Sequence, residues 1–379
     1  GGLFWGNSAV LVGSDAWLRN SANLLGGWTL DGGTLYTNGA SIVGGLEVGN
    51  GATLNLVGLT RLPGQGSIHV ATGGLISVAN GELLGGGPVT NDGTIRKAIS
   101  GATAFDVALT NRGRVEIDTG GLQLPDTFIN DGTVQLRNGG TLQAGDGTAV
   151  FRQSATGRVV IGDEIDDLQG NSAGTLAAST LQGGSLVVNT SLDTDLRLAQ
   201  MQSLEVNNGD LTLRGDNSAF GGSARVDGGG SFLWVEDGVL GGAVTLTNGG
   251  HLGGSGTVAG DVDAQDGALQ LGSVSQLHIG GALRLGANSR LNAILGAPNS
   301  PPASQARLTV GGDLVLDGGL ALSATQDMGT GVYRLIDYGG ALTDNGLDVY
   351  GLPSNLASQV QNSIAHQVNL VAVSYTHLR

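Results

Sequence analysis

Thr90-Asn91-Asp92-Gly93-Thr94-Ile95, Thr110-Asn111-Arg112-Gly113-Arg114-Val115 and Ile129-Asn130-Asp131-Gly132-Thr133-Val134 are three copies of one phrase, with their asparagines 20 and 19 residues apart. A period near 20, made of a turn followed by an alternating apolar segment, is the pattern of a chain that winds into stacked β-coils. The same grammar returns near the C-terminus. Leu308/Val310, Leu314/Leu316 and Leu320/Leu322 are apolar doublets at spacing two, separated by Gly311-Gly312 and Gly318-Gly319. Spacing two marks strands with one buried face. Three such strands and three corners complete one coil of about 18–20 residues. Leu204/Val206 before Asn208-Gly209, Val115/Ile117 before Gly120-Gly121, and Val134/Leu136 before Asn138-Gly139-Gly140 follow the same rule. The expected fold is all-β, a right-handed three-sided parallel β-helix. Glycine and asparagine suit its corners because they accept positive φ at little cost. Asparagine can also hydrogen-bond to asparagine in the next coil. The competing reading of Asn-Gly, a two-residue turn in an antiparallel sandwich, explains the turns but not the 20-residue period.

Composition agrees with a thin, extended core. Of 379 residues 70 are glycine, aromatics make up 4 % and charged residues 13 %. The net charge of −15 repels nucleic acid and anionic membrane, lysine occurs once, at Lys97, and no basic cluster appears. Without cysteine there is no disulfide framework and no thiolate metal site. The chain opens inside a repeat phrase at Gly1-Gly2-Leu3 with no initiator Met, and reads as a piece of a longer protein. Residues 373–379, VSYTHLR, read as an adapter-encoded tail. Ser354 to Val368 places Leu356, Val360, Ile364 and Val368 at spacing four, which predicts a short helix. Two stretches read as loops leaving the coil: 162–174, with the acidic run Asp163-Glu164-Ile165-Asp166-Asp167, and 296–306, with Pro298, Pro301 and Pro302.

Several phrases resemble a known family. Gly253-Gly254-Ser255-Gly256-Thr257-Val258-Ala259-Gly260-Asp261-Val262 is similar to a glycine-rich phrase near the end of autotransporter passenger domains. Gly331-Val332-Tyr333-Arg334-Leu335-Ile336-Asp337-Tyr338-Gly339-Gly340-Ala341-Leu342-Thr343 resembles the phrase that closes the pertactin-like passenger. Leu213, Gly215, Asn217-Ser218, Phe220 and Gly222 resemble the passenger repeat L-x-G-x-N-S-x-F-x-G. The resemblance implies a Gram-negative surface protein whose passenger leaves through an outer-membrane β-barrel that is absent from this sequence. It divides the chain into a β-helical stalk at 1–249 and an autochaperone-like section at 250–372, which would fold first. The expected place is extracellular or on the cell surface, attached to the outer membrane.

The chemistry-bearing candidates are few. Arg214-Gly215-Asp216 is the tripeptide that can act as a receptor ligand, and it also falls inside the repeat phrase above. Gly170-Asn171-Ser172-Ala173-Gly174 matches G-x-S-x-G, with a poor case for the helix that motif needs. The 163–167 acidic run matches no calcium loop and reads as a solvated loop. His69, His251, His278, His366 and His377 show no metal-ligand spacing and read as surface or corner residues. Trp5, Trp17 and Trp28 read as packing for the N-terminal coils rather than as a strip for sugar stacking. No catalytic, cofactor or metal residue is assigned. The favoured reading is therefore a structural and adhesive passenger that meets a host-cell or extracellular-matrix surface or a glycan. The runner-up is a polysaccharide lyase or glycosidase on the same scaffold, which needs carboxylates or a basic residue converging in a groove.

Overall fold

A computed structural model describes residues 3–5, 9–163, 173–272, 276–298 and 307–375, with side-chain burial described from residue 13 onward. Among these residues there is no α-helix, and nearly all strand pairs are parallel. The chain forms two compact units, Gly1–Thr190 and Ser191–Arg379.

In the first unit the repeat phrase sets the register. Thr94 pairs with Arg114 and Arg114 with Thr133, while Ile95, Val115 and Val134 sit directly over one another. These strands belong to a parallel stack that runs from Ala16–Arg19 through Gly33–Asn38, Ala52–Leu56 and Leu75–Val78 to Arg158–Ile161 and Ser185–Val188. A second stack joins Gly45–Val48, Ser67–Val70, Leu83–Asn91, Ala102–Asn111 and Ile129–Asn130. A third joins Gly121–Leu124, Thr141–Ala144 and Thr175–Ala177. One coil thus contributes a strand to each of three sides, as the doublet spacing predicts. The step between equivalent residues stretches to 25 between Val134 and Val159 and to 27 between Val159 and Leu186, where corner loops lengthen.

Alternation turns each doublet into a pair of inward residues. Ile76, Ile95, Val115, Val134, Val159 and Leu186 make one continuous internal row, all fully buried. Each such side chain contributes about 1.5–3 kcal/mol on leaving water. The core is a set of aliphatic rows with few rings, which is why so glycine-rich a chain can still fold.

The phrase asparagines are inside as well. Asn91, Asn111 and Asn130 are fully buried register partners. Asn91 Nδ2 donates to Asn111 Oδ1 at 2.7 Å, Asn111 Nδ2 donates to Asn130 Oδ1 at 2.8 Å, and Asn130 Nδ2 donates to Gln153 Oε1 at 3.1 Å. Gln153 Nε2 ends the ladder on Gly183 O at 3.0 Å. A primary amide donates from its nitrogen and accepts at its oxygen, so it can be repeated coil after coil. The glycine of the phrase has a different reason from the one expected. Gly93, Gly113 and Gly132 do not have positive φ. A Cβ on Gly113 would instead fall well inside contact distance of Gly93 O, and one on Gly132 inside that of Gly113 O. The left-handed corners lie elsewhere, at Asn138-Gly139 (φ 51 and 76°) and Asn248-Gly249 (φ 54 and 83°).

The second unit repeats the plan. One stack runs through Ser203–Val206, Ser223–Asp227, Ala243–Thr247, Val262–Ala264, Leu283–Leu285, Leu314–Leu316 and Leu342–Asp344. A second runs from Gly209–Asn217 through Ser231–Leu240, His251–Gly254, Ala268–Leu271, Arg290–Leu295 and Gly319–Ala324 to Asp348–Tyr350. The doublet residues Leu308, Val310, Leu314, Leu316, Leu320 and Leu322 are all buried. In the repeat phrase, Phe220 fills the core, and the Oδ1 of buried Asn217 accepts from Leu198 N at 2.7 Å.

The expected helix over Ser354–Val368 is absent. Leu356–Gln361 and Gln367–Ser374 are antiparallel strands, and the latter pairs antiparallel with Gly331–Tyr338. Spacing four puts residues on one face of a strand as well as of a helix. The open edge of Gly331–Tyr338 offers a row of backbone partners that a helix cannot use. Val368 and Leu370 are fully buried by this pairing. Val373 and Ser374 are part of it, and pair with Ala357 and Leu356. Residues 164–167, Ser172, Pro301, Pro302 and His377 lie outside the described residues.

The asparagine ladder sets a stability test. Asn111→Ala leaves Asn91 without one acceptor and Asn130 Oδ1 without its donor, at about 1–3 kcal/mol for each buried orphan. Asn111→Asp restores the acceptor but not the donor, and adds a buried charge, so it is expected to be at least as damaging in a urea titration. Gly113→Ala is expected to cost about 1–3 kcal/mol through overpacking against backbone that cannot move independently. A midpoint unchanged by all three substitutions would show that coil contact at this corner does not depend on them.

Candidate functional site

Parallel register does outside the core what it does within it: outward side chains one coil apart line up in columns. In the first unit Glu47 pairs with His69 across the Gly45–Val48 and Ser67–Val70 strands. His69 Nδ1 lies 2.7 Å from Glu47 Oε2, and His69 Nε2 lies 2.8 Å from Asp92 Oδ2. Both contacts are hydrogen bonds only when both ring nitrogens carry protons, which is the imidazolium form. The bonds to Asp92 and then Glu47 accordingly raise the His69 pKa. A shallow hollow of about 420 Å³, lined by Trp28, Glu47, His69, Pro88 and Thr90 among others, opens beside them.

A diagonal chain of alternating charges runs beside the register column, in which Arg96 faces Glu116. Arg96 Nη2 lies 2.7 Å from Asp118 Oδ2, Arg137 Nε lies 2.5 Å from Asp118 Oδ1, and Arg137 Nη1 lies 2.8 Å from Asp163 Oδ1. Burial works against the charge on Asp118, but the Arg137 and Arg96 hydrogen bonds outweigh it and hold the carboxyl below its ordinary value. Asp163, the one described member of the acidic run, is thus held by an arginine. The single lysine points the other way. Lys97 is fully buried, and its Nζ donates to Ala79 O at 2.9 Å and Ile99 O at 2.6 Å. Desolvation lowers its pKa. Adjacent in sequence, Arg96 and Lys97 face opposite sides of one strand and do not converge.

Arg214-Gly215-Asp216 lies exposed on the Gly209–Asn217 strand, at a register shift against Ser231–Leu240. Gly215 supplies the positive φ of 74° that the shift requires. Arg214 Nε and Nη2 both donate to Asp193, at 3.0 Å each. Asp216 Oδ1 accepts from Ser218 N at 3.0 Å, and Oδ2 lies 3.6 Å from Arg197. The tripeptide is therefore a corner whose two charges already have neighbours in the coil.

Trp17 does not plug the N-terminal coils as expected. Trp17 is 44 % exposed and stacks on Tyr36 at 4.4 Å, with Arg19 3.7 Å from its ring centre. Strand alternation puts Leu18 inside and Trp17 outside. Trp28 is half-buried beside the His69 hollow, and the side chain of Trp5 lies outside the described residues. Among the described residues no group of three or more histidine, aspartate or glutamate side chains is arranged to hold a metal ion. The Glu47, His69 and Asp92 bracket escapes sequence reading because its members are 22 and 23 residues apart, a spacing that acquires meaning only once the coils are in register.

A parallel β-solenoid whose outer faces carry side chains in columns defines a class, the repeat scaffold in which each coil contacts its neighbours. No family model matches the sequence. The chain is similar to the adhesin BmaC autotransporter of Brucella suis biovar 1 (strain 1330), with 31 % identity over 87 % of this chain and 11 % of that protein. It is also similar to the deoxyribonuclease CdiA of Dickeya dadantii (strain 3937), with 29 % identity over 92 % of this chain and 9 % of that protein. A solved hyper-glycosylated fragment of TibA, glycosylated by TibC, aligns over 91 % of this chain and 94 % of its own, at 13 % identity and a TM-score of 0.27. The chain spans about a tenth of the length of the curated relatives it matches. It belongs with the passenger domains of autotransporters.

The His69 bracket predicts a pH effect with a definite sign. Its folded pKa lies above the ordinary 6.5, so its stabilising contribution is complete below that value and is lost as pH rises through the folded pKa. Because the groups are half-exposed, the loss is at most about 1 kcal/mol. Thermal melting from pH 5.5 to 8.5 should show this decline in the native chain and a smaller one in His69→Gln. Equal slopes would mean that the bracket contributes nothing.

Proposed function

We propose that this chain is a structural and adhesive section of a surface-displayed passenger, carried outside a Gram-negative outer membrane by a β-barrel encoded elsewhere in the protein. The observation that carries the reading is the alignment of 87 % of the chain with an adhesin autotransporter. The form of each unit supports it: coils in register line up outward side chains in columns, a surface for contact with a host cell, an extracellular matrix or a glycan. Residues 250–372 are proposed to fold before 1–249 and to offer them an edge. A non-enzymatic role goes with this reading. The runner-up, a polysaccharide-acting enzyme, needs two carboxylates converging in a groove; Glu82, Asp106 and Asp126 line one hollow, and Glu47 and Asp92 flank another. Glu47 and Asp92 are both bound to His69, which occupies that pair.

Displaying residues 1–375 from a heterologous outer-membrane barrel on a non-adherent bacterium should raise attachment to epithelial cells or matrix-coated surfaces severalfold. Antibody staining would verify display. Full display without attachment would overturn the adhesive role, and release of reducing ends or unsaturated products from polysaccharide would overturn the non-enzymatic one. The exposed Arg214-Gly215-Asp216 corner is proposed as a receptor contact within the same assay. Asp216→Glu keeps the charge but displaces the carboxylate, and attachment unchanged by it would remove the tripeptide from the contact surface.

A further inference from the structure

One outer face of the second unit carries a pattern that neither charge pairing nor core packing explains. Two neighbouring outward columns run along the stack from Gly209–Asn217 to Asp348–Tyr350. In the first, Trp234, Gly253, Gln270, Asn292, Ala321 and Tyr350 are successive register partners. In the second, Phe232, His251, Ala268, Arg290, Gly319 and Asp348 are. The first column has an aromatic ring at each end and two amides between them, and the second starts with two rings, Phe232 and His251, and ends at Asp348. From Trp234 to Tyr350 is five strand spacings, about 24 Å.

The rings are placed against glycine. Trp234 leans over Gly253, where a Cβ would collide with the indole, and Tyr350 lies over Gly319 in the same way. A ring resting on bare backbone is held in place, and Trp234 is half-buried there. Tyr350 is 56 % exposed. Phe232 and His251 stack at 4.2 Å with planes 6° apart, and Phe232 is parallel to Trp234 within 6°. Gln270 Nε2 reaches His251 Nδ1 at 2.8 Å, which orients that amide. Asn292 makes no side-chain hydrogen bond among the described residues. Beside Tyr350 the face deepens into a hollow of about 500 Å³ between Asn288, Ser289, Arg290 and Asp348. Arg290 has no ion pair among the described residues, and the buried Ser289 hydroxyl has no hydrogen-bond partner.

We propose that this face binds a neutral polysaccharide chain lying along the stack, with stacking positions at Trp234 and Tyr350, an amide row at Gln270 and Asn292, and a polar hollow at Arg290 and Asp348. Sugar rings offer a C–H face to an aromatic ring and hydroxyls at their rim. Amides, which both donate and accept, are the side chains that read hydroxyls without demanding a charge. Two rings some 24 Å apart cannot share one sugar, so the ligand is an oligomer. A polyanion is disfavoured, because the chain carries a net charge of −15 and this face has no basic row. The proposal deepens the adhesive reading and rests on it only for the biological setting.

The test is affinity electrophoresis of the full chain through gels containing a β-glucan, a mannan or a galactan, with heparin as the anionic control. Retardation by at least one neutral polysaccharide is expected, and Trp234→Ala and Tyr350→Ala should each weaken it about tenfold. Gln270→Ala and Asn292→Ala, at half-buried positions, should weaken it while the chain still melts cooperatively, and Trp17→Ala in the first unit should leave it unchanged. Absence of retardation by all three neutral polysaccharides overturns the proposal, as does retardation insensitive to these four substitutions or seen with heparin alone. Attachment of displayed bacteria that survives Trp234→Ala and Tyr350→Ala together would overturn this face and leave adhesion standing. Polysaccharide binding without attachment would do the reverse.

Discussion

Parallel backbone pairing at one strand spacing is the constraint from which the rest follows. Each coil must hydrogen-bond to the coil on either side, so equivalent residues are held about 4.8 Å apart. At that separation like must tolerate like. Aliphatic residues do so by packing into rows, amides by chaining donor to acceptor, and charges by meeting the opposite sign in the neighbouring coil, as Arg96 meets its register partner Glu116 and, diagonally, Asp118. The glycine of the repeat phrase meets the same demand with no side chain at all. Carbonyl oxygens of one coil occupy the space in which the next coil would place a Cβ.

The interior is accordingly less uniform than its aliphatic composition implies. Polar groups enter wherever they can be satisfied by the coil's own geometry. The buried asparagines link successive turns, and Lys97 finds two carbonyl oxygens at the corners next to it. A lysine with no carboxylate beside it would be costly in a broad hydrophobic core. In a narrow solenoid every interior position lies close to a corner, where carbonyls not used by the ladder are within reach of a long side chain.

These relations explain how much was legible beforehand. The 20- and 19-residue spacing of Asn91, Asn111 and Asn130 is the coil length itself, so the fold and the inward rows could be read directly from it. The doublets at 308–322 named buried residues correctly for the same reason. The outer surface was far less readable. His69 meets Glu47 and Asp92 only through register, and the tryptophan spacing of 12 and 11 residues carries no information about which face each ring occupies. The segment from Leu356 to Val368 misled because a spacing of four is compatible with both periodicities. The deciding factor, an unpaired strand edge, lies some 20 residues away in sequence.

That edge has a further consequence. A stack of identical parallel layers is close in geometry to the spine of a fibril, and a bare parallel edge invites a second copy to add in register. Along Gly331–Tyr338 the neighbouring strand runs in the opposite sense, so in-register parallel recruitment through this strand is blocked. The reversed strand acts as a terminator, allowing a protein built like a short piece of amyloid to remain a discrete molecule on that side.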